Sequence, residues 1–373
     1  MAHEEQGALA NQTLIGLRDA KMIEWALNDN ISPASVDLSL SGEIFEIRHI
    51  AVPRHDQETV RDLLEVMEAK SYSLDQTLWK GKRYIAAVKE RVRFPELFYG
   101  YCNPKSSTGR LDVHTRVIAD GTPRFDTVPA GHRRDIWVVI EPKSFSIKAH
   151  EGDCLTQLRV FNGDTRFDEV DLTIQFAQHK LAWKAEGKTP YELEELVRHD
   201  KDGSLMLTLD MPEEGIFGYR CVAEQEDVLD LHERNVDPRD FFKAVRVKDG
   251  SAWLRRGRFY ILSSAEHIRI PPHLAAEMVP MDDRSGEFRS HYAGFLDPGW
   301  GWGEDGEGTG RPFTLEVRPF EDLLIRPGNT VAKIRFERMR EVPKVQYDSS
   351  QKSSNYVEQF GPKLAKQFAA WPS

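Results

Sequence analysis

Short stretches of alternating apolar and polar residues, broken by Gly and Pro, recur along most of the chain; RYIAAVKERVRF, RDIWVVIEP, FSIKAHEGDCLTQLRVF and VAKIRFERM are examples. A period of two sends successive side chains to opposite faces. With turn signals roughly every 8–12 residues, this pattern predicts an antiparallel barrel or sandwich rather than a parallel α/β sheet. Helix is predicted only at 13–27, roughly 57–69 and 191–199.

The pattern occurs twice. WKGKRYIAAVKERVRFP (79–95) and LRRGRFYILSSAEHIRIP (254–271) align at a shift of about 176 positions, so that Gly81 meets Gly257, Tyr84 meets Tyr260, Glu90 meets Glu266 and Arg93 meets Arg269. The same shift pairs Gly152 with Gly328, Leu155 with Val331, Leu158 with Ile334 and Arg159 with Arg335. Two windows at one offset indicate a duplicated domain. Between the copies, about 163–215 is charged and carries KAEGKTPYELEELVRHDKDG, which is neither a Gly/Ser nor a Pro run, so a folded connector is expected.

Composition narrows the function. The 373 residues, 40% hydrophobic and 29% charged, support a folded core and suggest two domains. A net charge of −10 disfavours a nucleic-acid-coating role but leaves room for a local basic pocket that takes one polyphosphate. No apolar run reaches the ~18 residues of a membrane span, and MAHEEQGALANQ lacks a signal-peptide pattern, so the cytoplasm is the expected location. Cys102, Cys154 and Cys221 are well separated, with no C-x-x-C pair, which argues against a disulfide framework and structural zinc.

The His-x-Glu and Pro-Cys-x-x-Cys motifs of zinc base deaminases are missing, and His150-Glu151 near Cys154 has the wrong order and spacing. GWGWGEDGEGTG (299–310) is Gly-rich but acidic and without Lys, which suits a surface loop better than a phosphate cradle. Other segments concentrate chemistry. ISPASVDLSL sets Asp37 among alternating apolar residues, while NPKSSTGR (103–110) and DRSGEFR (283–289) each gather hydroxyl and cationic groups in a Gly-containing turn suited to an anion. AGFLDPGW presents Asp297 before a Pro-Gly turn, and TLEV places Glu316 inside an apolar strand, where burial raises a carboxylate pKa toward acid–base use. Each also has a purely structural reading: turn residues, a barrel-corner carboxylate, a strand-face salt bridge.

Taken in order, PASVDLSL, the RSGEFR turn, AGFLDPGW and TLEV resemble the motifs of dCTP deaminases, members of the trimeric dUTPase superfamily. SSNYVEQFGP (353–362) is similar to that family's tail, which closes over the triphosphate. The resemblance covers most of the chain, once per copy, as in the tandem form. It implies a mainly β fold: two tandem dUTPase-like distorted β-barrels (β-clip) with a few helices, at 1–162 and 216–373, the connector at 163–215, and the lid tail at the C-terminus.

It also implies roles. Glu316 matches the catalytic Glu that activates water, and Ser285 and Arg289 match the groups supporting that water, the base or the phosphates. Arg284 matches a phosphate contact, Asp297 the deoxyribose-side Asp, and Tyr356 and Gln359 the closing tail. In the first copy Lys105, Ser106, Arg110, Asp120 and Glu141 take the corresponding places at shifts of 175 to 179. The implied reaction is zinc-independent hydrolysis of dCTP to dUTP and ammonia, supplying dUTP for thymidylate synthesis. Magnesium enters on the triphosphate, dTTP is a candidate inhibitor, no nucleic acid or membrane partner is implied, and the assembly is a homotrimer.

The copies depart from the pattern in complementary ways. The first has Lys105 for Arg284, IADG (118–121) for LDPGW, and no Tyr-x-x-Gln tail; the second carries VLDL (228–231) as a poorer first motif. A composite site and a single surviving site both remain open. So do a combined deaminase and diphosphatase that forms dUMP and a nucleotide-binding relic without catalysis.

Overall fold

A computed structural model of the chain describes residues 6–197, 200–279, 281, 294–347 and 361–372, together with the backbone of 288–291. The chain divides into two compact units, one of Met1–Asp164 with Ala223–Val236, the other of Thr165–Val222 with Asp237–Ser373. Both are built of short antiparallel strands, as the alternation predicts. None of the described helices is long and apolar enough to cross a membrane.

In the first unit a long strand, Val36–Ile47, serves two neighbours. Its first half pairs with Cys154–Phe161 (Asp37 opposite Gln157) and its second with Arg83–Val88 (Phe45 opposite Ile85), with a register break between Leu40 and Ile44. One bent strand thereby joins an eight-stranded sheet running from Val113–Ala119 through Ile136–Pro142 and Arg83–Val88 to Tyr99–Pro104 and Thr127–Val128. In the second unit the same path is cut into Ser204–Thr208 and Gly218–Cys221, which lie in separate four- and five-stranded sheets.

The duplication holds at atomic level. The Trp79 amide donates to the Tyr84 hydroxyl at 2.9 Å, and the Arg255 amide to the Tyr260 hydroxyl at 2.7 Å. The Gly81 amide donates to Pro142 at 2.7 Å, and Gly257 to Pro319 at 2.8 Å. Glu90 accepts the amide and hydroxyl of Ser39, both at 2.7 Å, while Glu266 accepts those of Thr208 at 2.9 and 2.8 Å. Burial pushes both carboxyl pKa values up, against these hydrogen bonds. Gly152 and Gly328 turn the chain at φ 91° and 85°, a region in which a Cβ is strained.

Several expectations change. The helix expected over 13–27 ends at Asp19: Lys21 adopts φ 57°, and Ile23–Glu24 leaves as a strand to pair with Arg91–Val92. Of 57–69 only Val60–Leu63 is helical, started by a Thr59/Asp62 capping box, and Leu193–Glu195 is a 3-10 turn. The longest described helix, Glu169–His179, lies inside the expected connector; an Asp168/Asp171 capping box starts it and Leu172 and Phe176 bury its inner face. The stretch read as a connector is thus built into the second unit, where Ser204–Thr208 supplies a sheet strand. VLDL is not that unit's first motif. Val228–Asp230 belongs to the first unit, paired in parallel with Ser146–Lys148, and the ladder place of Asp37 opposite Gln157 is taken in the second unit by Met206 opposite Lys333.

Candidate functional site

Glu316 sits on the strand Thr314–Pro319, whose neighbouring residues Leu315 and Val317 enter the second unit's hydrophobic core. Alternation therefore turns Glu316 to the opposite face of the sheet. It is 6% exposed and lies across from Ile261 on one side and His291 on the other. The backbone of Arg289 pairs with Arg318, two places along the same ladder from the His291–Glu316 pair. A buried carboxylate with a cationic residue two ladder positions away has the ingredients of a general base. Arg284, Ser285, Tyr356 and Gln359 lie outside the described residues, as does the side chain of Arg289.

Asp297 follows the short strand Phe295–Leu296, which pairs with Leu274–Val279. It is 9% exposed and heads a tight turn in which the Trp300 amide returns to the Asp297 carbonyl at 3.2 Å. Gly299 has φ 93°, and a Cβ there would stand 2.9 Å from Gln346 Cβ, so the turn requires glycine twice over. Trp300 packs its ring 5.6 Å from Phe313 and 5.0 Å from Tyr347. The Gly-rich loop beyond is ordered around Arg269, which donates to the carbonyls of His179, Gly306 and Gly308 at 2.9, 2.9 and 2.8 Å and lies 4.5 Å from the centre of Trp302.

The ladders also fix which first-unit residues correspond. Tyr84 pairs with Ile140 and Ile85 with Val139, whereas Tyr260 pairs with Val317 and Ile261 with Glu316. Val139, not Glu141, therefore occupies the place of Glu316, and Glu141 falls at the place of Arg318. The match by sequence shift was two residues out because Pro142 and Pro319 accept the equivalent glycine amides. Similarly, Gly100 pairs with Val128 as Ala276 pairs with Leu296, and His132 returns its amide to Pro129 at 3.3 Å as Trp300 does to Asp297. Pro129 thus takes the place of Asp297. Asp120 ends a different strand, where its carboxylate accepts the Val60 amide at 2.8 Å; burial pushes its pKa up against that bond.

The remaining first-unit candidates have visible partners. Glu141 is ion-paired to Lys143 at 2.7 Å and Arg83 at 3.5 Å. Lys105 is salt-bridged to Asp37, which brings the first motif and the NPKSSTGR turn together. Asp37 Oδ1 remains a buried acceptor with no hydrogen-bond partner among the described residues. Ser106 opens the short helix Ser106–Gly109, and Arg110, 3% exposed, follows it. None of these lines the larger described cavity, about 570 Å³, which is bordered on the first unit by Trp25, Asn30, Arg61, Lys89 and Asp135.

Known proteins also divide in two, with Ala223–Val236 falling in the C-terminal part of the sequence match. Residues 5–164 match the N-terminal domain and residues 184–368 the C-terminal domain of the family of 2'-deoxycytidine 5'-triphosphate deaminases (DCD). A crystal structure of 2'-deoxycytidine 5'-triphosphate deaminase from Agrobacterium tumefaciens superposes with a TM-score of 0.81 at 31% identity, over 91% of this chain and 97% of that one. A curated relative, "dCTP deaminase, dUMP-forming" from Methanosphaera stadtmanae, is 25% identical over 137 residues. That match spans 35% of this chain and 65% of the relative, just under two thirds of its length.

Proposed function

Because the chain belongs to the dCTP deaminase family, we propose that it converts dCTP and water to dUTP and ammonia at one working site per chain, centred on Glu316 in the second unit. The observation that carries this reading is the ladder register. Glu316 and Asp297 hold places that the first unit gives to Val139 and Pro129, neither of which can exchange a proton or accept a hydrogen bond through its side chain.

In this reading the Glu316 carboxylate takes a proton from water as the oxygen adds to C4 of cytosine and the C4–N3 π electrons move onto N3. It then passes that proton to the exocyclic amine; the C–N bond breaks and ammonia leaves, and water's remaining proton moves from the C4 hydroxyl to N3 as the C4 carbonyl forms. Arg289 and Ser285 hold the base in its ionised, oriented form, and Asp297 fixes the sugar. Arg284 binds phosphate, with Tyr356 and Gln359 closing above it, and magnesium arrives on the triphosphate as part of the substrate. In the first unit Lys105, Ser106, Arg110, Asp120 and Glu141 serve structure, Lys105 through its ion pair with Asp37.

Incubation with dCTP and magnesium, followed by separation of nucleotides, is the test. dUTP supports the proposal, whereas unchanged dCTP rejects it in favour of a binding relic. dUMP with pyrophosphate supports the second reading, a combined deaminase and diphosphatase, which is favoured by the printed name of the Methanosphaera stadtmanae relative. The reading includes a cytoplasmic homotrimer of six barrels with dTTP as inhibitor; a solution mass showing only monomer at micromolar concentration rejects the assembly.

A further inference from the structure

On the first unit, beside the Gly152 turn, four titratable side chains from distant parts of the chain converge. The strand Ser146–Lys148 pairs in parallel with Val228–Asp230, Lys148 opposite Asp230, and the Leu231 amide donates to the Lys148 carbonyl at 3.0 Å. Parallel register carries the next residues side by side. His150 and His232 consequently stack with ring centres 4.1 Å apart and planes inclined by 22°.

Each ring already meets a carboxylate. His150 Nε2 lies 2.8 Å from Asp230 Oδ1, and His232 Nε2 lies 2.8 Å from Asp153 Oδ1. Second hydrogen bonds fix both acids: Asp230 Oδ1 accepts the His232 amide at 2.9 Å, and Asp153 Oδ2 accepts the His150 amide at 2.8 Å. Ligand atoms of His150, Asp230 and His232 all lie within 4.8 Å of one another.

We propose that His150, His232 and Asp230 bind one divalent transition-metal ion, zinc being the best match, with Asp153 as fourth ligand or as the acceptor that orients His232. Two imidazoles and one or two carboxylates at the surface form the nitrogen and oxygen donor set that zinc takes in four-coordinate geometry at nitrogen–metal and oxygen–metal distances of about 2.0–2.2 Å, the side chains turning from their present imidazole–carboxylate pairs to meet it. Bound metal would staple Ala223–Val236 to the rest of the first unit, so the role is structural. His150 had appeared in the sequence only beside Glu151 and Cys154; its metal partners lie about 80 residues away and become neighbours through the parallel strand pair.

The test uses the full-length protein, stripped of metal and free of nucleotide, titrated with zinc by calorimetry and with cobalt(II) by visible absorption. One ion per chain, the d–d bands of a four-coordinate cobalt and a raised melting temperature are expected. His232→Ala, at an exposed position, should weaken binding by at least about tenfold, since even loss of an outer-shell partner costs 10- to 100-fold. Asp230→Asn should also weaken it. No saturable binding, or binding unchanged in His232→Ala, overturns the proposal. Deamination by metal-stripped protein with magnesium restored reports on Glu316 alone, so the two proposals fail separately.

Discussion

The two units use one ladder arrangement to opposite ends. Where the first unit has Val139, that side chain and Trp137 pack with Ile47, Val60, Leu63, Met67, Ile85 and Ile118 in a closed apolar cluster. The covering residues come from the connection between Val36–Ile47 and Lys70–Tyr72. The equivalent connection of the second unit, between Gly218–Cys221 and Phe242–Val245, sends its middle, Ala223–Val236, into the first unit. The stretch of that connection which would answer to Val60–Met67 therefore belongs to a different unit from Glu316. One ladder place thus holds an apolar side chain inside a hydrophobic cluster in the first unit and a buried carboxylate in the second.

The sharpest way to break this comparison is to exchange the proton acceptors. Glu316→Gln keeps size and polarity but should lower turnover by roughly 100- to 10,000-fold while dCTP still binds, as general-base work implies. Glu141→Gln should leave turnover within about twofold, because Glu141 holds the ladder place of Arg318 and is engaged by its ion pairs with Lys143 and Arg83. Equal losses in steady-state assays of the two variants would restore a composite or double site.

A second substitution asks whether the first unit could regain the acid. Val139→Glu places an uncompensated carboxylate in the apolar cluster, a cost of roughly 3–5 kcal/mol. Thermal unfolding should drop steeply, with no second active site in the dCTP assay. A stable variant with doubled activity would show that the cluster is not a plug.

The smallest effect concerns the Met206–Lys333 place that replaces Asp37–Gln157. Lys333 and Arg335 each bind Asp202 at 2.9 Å, and with Ser204 they hold its pKa down to about 2 against the opposing effect of burial. A pKa depressed in the folded state stabilises above the unfolded value, 3.8, and that stabilisation is lost as pH falls toward 2. Asp202→Asn should therefore reduce stability at pH 7 by about 1 kcal/mol after allowance for solvent screening, and the difference should vanish near pH 2 in acid-unfolding curves.

The repeat, the β class and the strand carrying Glu316 were legible because alternation, Gly-Pro punctuation and a constant offset are local signals. Correspondence between the copies was less so. Short matches such as IADG with LDPG, or IEP with LEV, carry too few residues to fix a register, whereas hydrogen bonds to Pro142 and Pro319 fix it. The helix at Glu169–His179 starts on Asp168-x-x-Asp171, a capping signal that the density of surrounding charge masks in the sequence. The crossing of Ala223–Val236 had no signal at all, since its partners are chosen by a parallel edge far earlier in the chain.

That crossing orders events during synthesis. Besides an isolated bridge between Ile147 and Leu78, the strand Ser146–Lys148 has Val228–Asp230 as its partner, and the ribosome makes that segment only after the opening stretch of the second unit, Thr165–Val222. The N-terminal barrel, which would otherwise be first to finish, must present an open strand edge to the cell while translation continues, and such edges invite pairing with other chains. Once the late segment docks, neither half can be cut away by cleaving between residues 164 and 165 without leaving the first short of a strand. A gene fusion of two barrels has become, in the polypeptide, a dependency that runs backward along the message.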